Sequence, residues 1–158
     1  MMVGLLEPSE GDVFIEGRSL RTQRAEVLRS LGVCPQENIL WEKLTCLEQL
    51  EFVGANYGLP NQQARKNGAA LLGELGLSAK ANELAGRLSG GMKRRLNLAL
   101  ALVHDPQIVF LDEPEAGLDP QSRVLVREVI HRLAQHKTVV LTTHNMDEAE
   151  RLAERVAI

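Results

Sequence analysis

The sequence predicts an α/β fold, a three-layer core on a mainly parallel sheet, with a helical subdomain set into it. Three observations predict it. Short apolar runs at 32–34, 108–111 and 138–143, bounded by turn residues, read as buried parallel strands rather than amphipathic ones. Helical spacing lies between them, as parallel crossovers require. Residues 37–87 lose the strand pattern and read as consecutive helices.

Taken in order, residues 1–6 are apolar and run into Glu7-Pro8-Ser9-Glu10-Gly11, which reads as the tail of a helix entering a turn. Residues 12–16 alternate as a strand closed by Gly17, and 23–31 have helical spacing ahead of the strand at 32–34, which Pro35-Gln36 ends. Thr45 and Glu48 are spaced as a capping box, Gly58 and Pro60 end that helix, and 61–75 forms another. Ser89-Gly90-Gly91 opens a helical run over 92–103. Beyond Asp119-Pro120, the residues Val124, Val126, Val129, Ile130 and Leu133 form an apolar stripe, with Pro120 suited to the first turn. The β-branched run at 138–143 is a buried strand ending on His144, 145–150 opens a helix with acids at its positive end, and 155–158 starts another strand.

With 158 residues, 44% hydrophobic and 25% charged, the chain suits one soluble globular domain. A net charge of −3 and pI near 5.8 give no electrostatic argument for nucleic acid, and Arg87, Lys93, Arg94 and Arg95 read as a solvated face. Cys34 and Cys46 read as reduced packing residues. No apolar run reaches the roughly 20 residues of a membrane span, and 1–6 is too short for a signal peptide, so the chain is expected in the cytosol.

The strand at 108–111 delivers Asp112 and Glu113 to the carboxyl edge, where open α/β sheets bind ligands. Neighbouring residues point to opposite sides unless the chain turns at once, and Pro114 favours such a turn. Asp112 then suits Mg²⁺, and Glu113 suits a water attacking a phosphate. Alone, the pair is equally an acidic loop after a strand. Ser89-Gly90-Gly91 brings a hydroxyl and free backbone N–H groups to a positive helix end, an anion site or simply a capped helix. Gln36 could bond a metal-bound water or decorate the surface, and His144 is either structural or a proton-bearing ligand contact.

Read together, Leu88-Ser89-Gly90-Gly91-Met92, Leu111-Asp112-Glu113-Pro114 and Gly117-Leu118-Asp119-Pro120 resemble the ATP-binding-cassette ATPases in order and spacing, over essentially the whole chain. The resemblance implies a P-loop NTPase-like core at 1–36 and 96–158 and a helical signature subdomain at 37–95. It makes the three motifs the signature loop, Walker B and the D-loop, and makes Gln36 the Q-loop residue. His144 becomes the H-loop residue, meeting the terminal phosphate and attacking water from its Nε2 side. It implies ATP and Mg²⁺ as cofactors. Glu113 and His144 would be catalytic, Asp112 and Gln36 would serve the metal, and Gln36, Ser89, Gly90, Gly91 and Asp119 would serve nucleotide. A second cassette in a head-to-tail dimer would present the ATP that Ser89, Gly90 and Gly91 face. A transmembrane permease would hold the chain at the cytoplasmic face of the membrane; no nucleic acid is expected. Trp41, Leu44, Leu47 and Phe52 would line the groove for the permease's coupling helix or fill the small helical core.

The phosphate-binding loop G-x-x-x-x-G-K-[ST] occurs nowhere in the 158 residues, so a fragment without Walker A is expected, truncated at the amino end and at the carboxyl end, and inactive by itself. Cys34-Pro35-Gln36, Leu40-Trp41, Leu44-Thr45 and Thr143-His144-Asn145-Met146-Asp147-Glu148-Ala149-Glu150 are most similar to the exporter branch that includes subfamily A and bacterial drug, lipid or polysaccharide exporters. Glu115 departs from the family pattern, where a small hydroxyl residue usually follows Glu-Pro. Facing inward it would raise neighbouring carboxylate pKa values; facing solvent it would do nothing. The alternatives are a soluble cassette ATPase of the translation type or a non-hydrolytic remnant. Chromosome and repair members fit poorly, because the stretch from Gln36 to Ser89 is short and lacks sustained heptads.

Overall fold

A computed structural model describes residues 10–157. Its first element is a hairpin, β1 (Phe14–Ile15) against β2 (Arg18–Ser19). Glu16 and Gly17 join them with φ of 51° and 76°, two left-handed residues whose twist matches that of the strands. The single strand expected at 12–16 is therefore one arm of a tight hairpin. After α1 (Arg24–Arg29) comes β3 (Leu31–Cys34), then the helices α2 (Cys46–Asn56), α3 (Asn61–Glu74) and α4 (Gly90–Leu102). The chain continues through β4 (Ile108–Asp112), α5 (Pro120–Ala134), β5 (Thr138–Thr142) and α6 (Met146–Leu152).

β3, β4 and β5 form one parallel sheet in that order. The register runs from Leu31↔Ile108 to Cys34↔Leu111 on one side of β4, and from Ile108↔Thr138 to Asp112↔Thr142 on the other. Cys34, Asp112 and Thr142 thus lie at one carboxyl edge, and the three segments that follow them leave the sheet together.

Alternation along the strands divides the core in two. Leu31, Val33, Ile108 and Phe110 face Ile15, Leu20 and Val27 of the hairpin and α1. Cys34, Val109, Leu111, Val139 and Leu141 face the larger core of α4 and α5, which gives the three layers. Gly32 sets the spacing on that side. A Cβ there would stand 2.4 Å from the Ala101 carbonyl oxygen, so α4 can lie against β3 only over a glycine.

The helical segment packs α2 on α3, closely enough that a Cβ at Gly54 would meet that of Ala64 at 2.6 Å. The capping box forms as expected: Glu48 N–H donates to Thr45 Oγ1 at 3.2 Å, and Thr45 N–H donates to Glu48 Oε2 at 2.8 Å.

Four expectations need correction. Arg94 and Arg95 are not on a solvated face but buried, at 4% and 8% exposure, because backbone carbonyls take their guanidinium N–H groups. Val124 points outward, off the stripe that buries Val126, Val129 and Ile130, because it sits about 120–160° round the helix from them. β5 is half-exposed rather than buried: no further strand among the described residues pairs with it, and a groove of about 650 Å³ lined by Ile130, Val139, Leu141, Ala149 and Leu152 runs beside it. Residues 155–157 form no strand. The readings for 1–6 and for Ile158 lie outside the described residues.

Candidate functional site

The sheet's carboxyl edge gathers Gln36, Asp112, Glu113 and His144. β4 ends at Asp112, whose exposed carboxylate accepts a hydrogen bond from Thr142 Oγ1 on β5. Glu113 then turns the chain itself, with φ of 50°, a left-handed conformation uncommon for a residue with a side chain. Its N–H still donates to the Thr142 carbonyl at 3.1 Å, so the turn begins while the residue is tied to β5. The Asp112 and Glu113 side chains are thereby freed from strict strand alternation.

The turn carries the Glu113 carboxylate to the next loop. Glu113 Oε1 accepts from the backbone N–H of His144 at 2.9 Å and from its Nδ1 at 2.6 Å. Placing the proton on Nδ1 leaves Nε2 to face outward, and the imidazole is 83% exposed while Glu113 is 14% exposed. A carboxylate held by two donors beside an open imidazole can orient a water and pass a proton.

Behind this pair, Thr143 Oγ1 donates to Glu148 Oε2 at 2.5 Å, and Glu148 Oε1 is buried with no hydrogen-bond partner. Burial raises the Glu148 pKa, with further upward pressure from the charges of Glu115 and Glu113. Glu115 thus faces inward, at 6% exposure, and acts on a neighbouring carboxylate as expected, while Arg127 of α5 donates to both its oxygens, Nε at 2.5 Å and Nη2 at 2.6 Å.

The second cluster is at the start of α4. Ser89 is the N-cap, its Oγ accepting from Met92 N–H at 3.3 Å. A Cβ at Gly90 would meet nothing within 4 Å, whereas one at Gly91 would lie 3.5 Å from Leu118 and 3.7 Å from the Asp119 carboxylate. The expected signature and D-loop residues are therefore neighbours in one chain. Asp119 caps α5, accepting from Ser122 N–H at 3.0 Å and Ser122 Oγ at 2.6 Å, and these bonds lower its pKa. Its carboxylate is engaged locally, in capping its own helix.

Among the described residues no group of three or more His, Cys, Asp and Glu side chains forms a metal cage. A hard cation bound here would rest on Asp112, with the exposed Gln36 amide nearby in the fold, and would take its other ligands from phosphate and water, as Mg²⁺ commonly does. The donor set fits that ion and no softer one.

Two polar residues of α4 were missed in the sequence. Arg94 donates to the carbonyls of Pro35, Gln36, Asp112 and Glu113, and Asn97 donates to those of Pro35 and Glu37 at 3.3 and 3.4 Å. The available signal was Asn97 interrupting the otherwise apolar run 96–102, with Arg94 three residues before it on the same helix face. Of the four candidates for a permease groove, Leu47 is buried in the helical core and Leu44 is half-buried. Trp41 and Phe52 are 43% and 47% exposed, their rings edge to face at 5.3 Å.

A parallel sheet with an acid pair and a histidine at its carboxyl edge, beside a glycine-rich helix start, defines a nucleotide-handling α/β domain. Residues 1–116 match the family described as ABC transporter, and the chain belongs to that family. It is 41% identical over 158 residues to the human retinal-specific phospholipid-transporting ATPase ABCA4, covering all of this chain and 7% of that protein. It is 42% identical to ABC transporter A family member 6 of Arabidopsis thaliana, covering all of this chain and 17% of that one. The fold matches the ATP-binding subunit of an ABC transporter with a TM-score of 0.86 at 28% identity, covering 97% of this chain and 64% of that one. It also matches a dimeric ATP-binding cassette in a post-hydrolysis state bound to ADP and Pi, with a TM-score of 0.85 at 27% identity, covering 94% and 69%. No helix among the described residues is long and apolar enough to cross a membrane.

Proposed function

We propose that this protein is the ATP-binding and ATP-hydrolysing unit of an exporter similar to subfamily A, coupling hydrolysis in a head-to-tail cassette dimer to a transmembrane permease at the cytoplasmic face of the membrane. The observation that carries the reading is the double hydrogen bond from His144 to Glu113, beside Asp112 at the sheet edge. In this reading 1–36 and 96–158 are the core and 37–95 the helical arm that carries Ser89, Gly90 and Gly91 to the partner's nucleotide. The exposed Trp41 and Phe52 are the face that meets the permease.

Glu113 accepts the proton of the attacking water, or orients it, from a carboxylate already fixed by two donors. His144 holds Glu113 through Nδ1 and leaves Nε2 for the terminal phosphate. Asp112 and Gln36 hold the metal side. Mg²⁺, when bound, offsets the charge of the phosphates. Ser89 Oγ and the backbone N–H groups of Gly90 and Gly91 donate to phosphate oxygens at a helix start.

The test is phosphate release by the full-length protein in phospholipid vesicles, the human relative's name making a phospholipid the first substrate to try. Turnover of about one per second or faster is expected in the enzyme range, and none in the 158-residue chain alone, which contains no phosphate-loop lysine. A full-length protein without ATP turnover would overturn the proposal.

A further inference from the structure

Arg94 is a buried cation whose hydrogen bonds all go to backbone. Its exposure is 4%, and no carboxylate among the described residues forms an ion pair with it. One guanidinium nitrogen, Nη1, donates to the carbonyls of Pro35 and Gln36 (3.1 Å for Gln36), and the other, Nη2, to those of Asp112 and Glu113 (2.9 Å for Glu113). Each nitrogen therefore serves one strand end: the loop after β3 on one side, the loop after β4 on the other. These carbonyls leave the sheet and lose their ladder partners, which makes them acceptors that a buried site must satisfy. A planar fork with five donors and no acceptor suits two pairs of carbonyls at once, and an ammonium does not.

The same side chain stands on α4, whose N-terminus holds Ser89, Gly90 and Gly91. Asn97, one turn further, adds the Pro35 and Glu37 carbonyls and the Cys34 sulfur at 3.5 Å. The Gly32 contact leaves no slack between α4 and β3 on this side. A single helix thus carries the glycine loop at its start and clamps, within its next two turns, both segments that present Gln36 and Glu113.

We infer that Arg94 is a positioning residue for ATP hydrolysis, acting through the backbone of Gln36 and Glu113 and tying their placement to the helix that bears the signature glycines. This rests on the assignment of Gln36 and Glu113 to nucleotide chemistry. Loss of the fork leaves two loop ends free to move against each other, and a displacement of about 1 Å at a reacting group can cost 10²-fold in rate.

The experiment compares Arg94→Met, which keeps length and burial but no donors, with Arg94→Lys in the full-length protein. Hydrolysis is measured per mole of bound nucleotide, so that unfolded protein does not count, and Mg-ATP affinity is measured separately. Arg94→Met should lower kcat about 10-fold or more and leave affinity within about threefold, and Arg94→Lys should recover part of the rate. A kcat per bound nucleotide equal to the parent's in Arg94→Met overturns the inference, as does a loss confined to affinity. Should Arg94→Met not fold, Arg94→Lys decides it: reduced kcat at unchanged affinity supports the role, and parent kcat removes it. A parent protein that does not hydrolyse ATP overturns the ATPase reading itself, an outcome visible before any variant is made.

Discussion

Glu113 and His144 are joined twice, the Glu113 carboxylate accepting from both the backbone N–H and the ring Nδ1 of the histidine. Substituting Glu113→Gln keeps the side chain's shape and removes the anionic acceptor. Hydrolysis by the full-length protein should fall roughly 10²-fold or more while ATP-held dimers accumulate. Phosphate release and a sizing column with ATP read both effects, and parent-rate turnover would remove Glu113 as the base.

Asp112 sits one residue earlier, exposed and bonded to Thr142, and the task proposed for it differs. Asp112→Asn exchanges a hard anionic ligand for a neutral amide, so the expected loss is in Mg²⁺-dependent nucleotide affinity. Titrating ATP with and without Mg²⁺ checks it. Equal affinity in parent and variant at limiting Mg²⁺ would count against the metal assignment.

Gly90 has open space around it, so Gly90→Asp should fold and place a carboxylate where the partner's γ-phosphate is expected. ATP-dependent dimers should disappear while binding of nucleotide to the monomer persists. Undiminished dimer formation with ATP would detach the glycine loop from the partner's site.

Glu115 is the departure from the family pattern, and Arg127 is its counter-charge. Arg127→Leu leaves a buried carboxylate unpaired and should destabilise the fold by roughly 2 kcal/mol or more, whereas removing both charges in the double variant with Glu115→Ser should cost less than Arg127→Leu alone. Chemical denaturation of the four proteins of that cycle gives the coupling, and additive effects would mean the pair is inert.

His104 supplies a pH dependence. Its Nε2 donates to the Leu31 carbonyl at 3.0 Å, its ring stacks on Tyr57 at 3.6 Å, and Nδ1 is buried with no partner. Burial lowers the His104 pKa, because a second proton would sit on a nitrogen with no acceptor. A folded pKa below the unfolded value of about 6.5 means that the stability it contributes is complete above that pH and is lost as pH falls through the folded value. Melting followed from about pH 7 to pH 5 should fall more steeply for the parent than for His104→Gln. Parallel curves would show that His104 takes up its proton equally in both states.

Local signals made much of this site legible. The strand ends, the Thr45–Glu48 box, the cap at Ser89 and the first-turn Pro120 depend on residues a few positions apart, so their spacing announces them. Arg94 and Arg95 were not legible as buried, because their partners are carbonyls of Pro35, Gln36, Asp112, Glu113 and Leu75, and a carbonyl has no side-chain identity to read. Glu115 could be flagged as unusual but not placed, since its partner lies twelve residues on, across a turn and onto a helix. The exposure of β5 depends on which strands stand beside it, a property of the sheet and not of the run Thr-Val-Val-Leu-Thr.

The glycines at the start of α4 have a further consequence. Neither is required by this chain's own folding: Gly90 has no neighbour for a Cβ to meet, Gly91 has one only at ordinary contact distance, and neither has positive φ. Alanine at either place would be expected to strengthen the helix by up to about 1 kcal/mol. The bare backbone is thus a standing weakness of the monomer, held against the helix's own preference. In the proposed dimer the same bareness leaves room for the partner's phosphate to approach the N–H groups at the helix start.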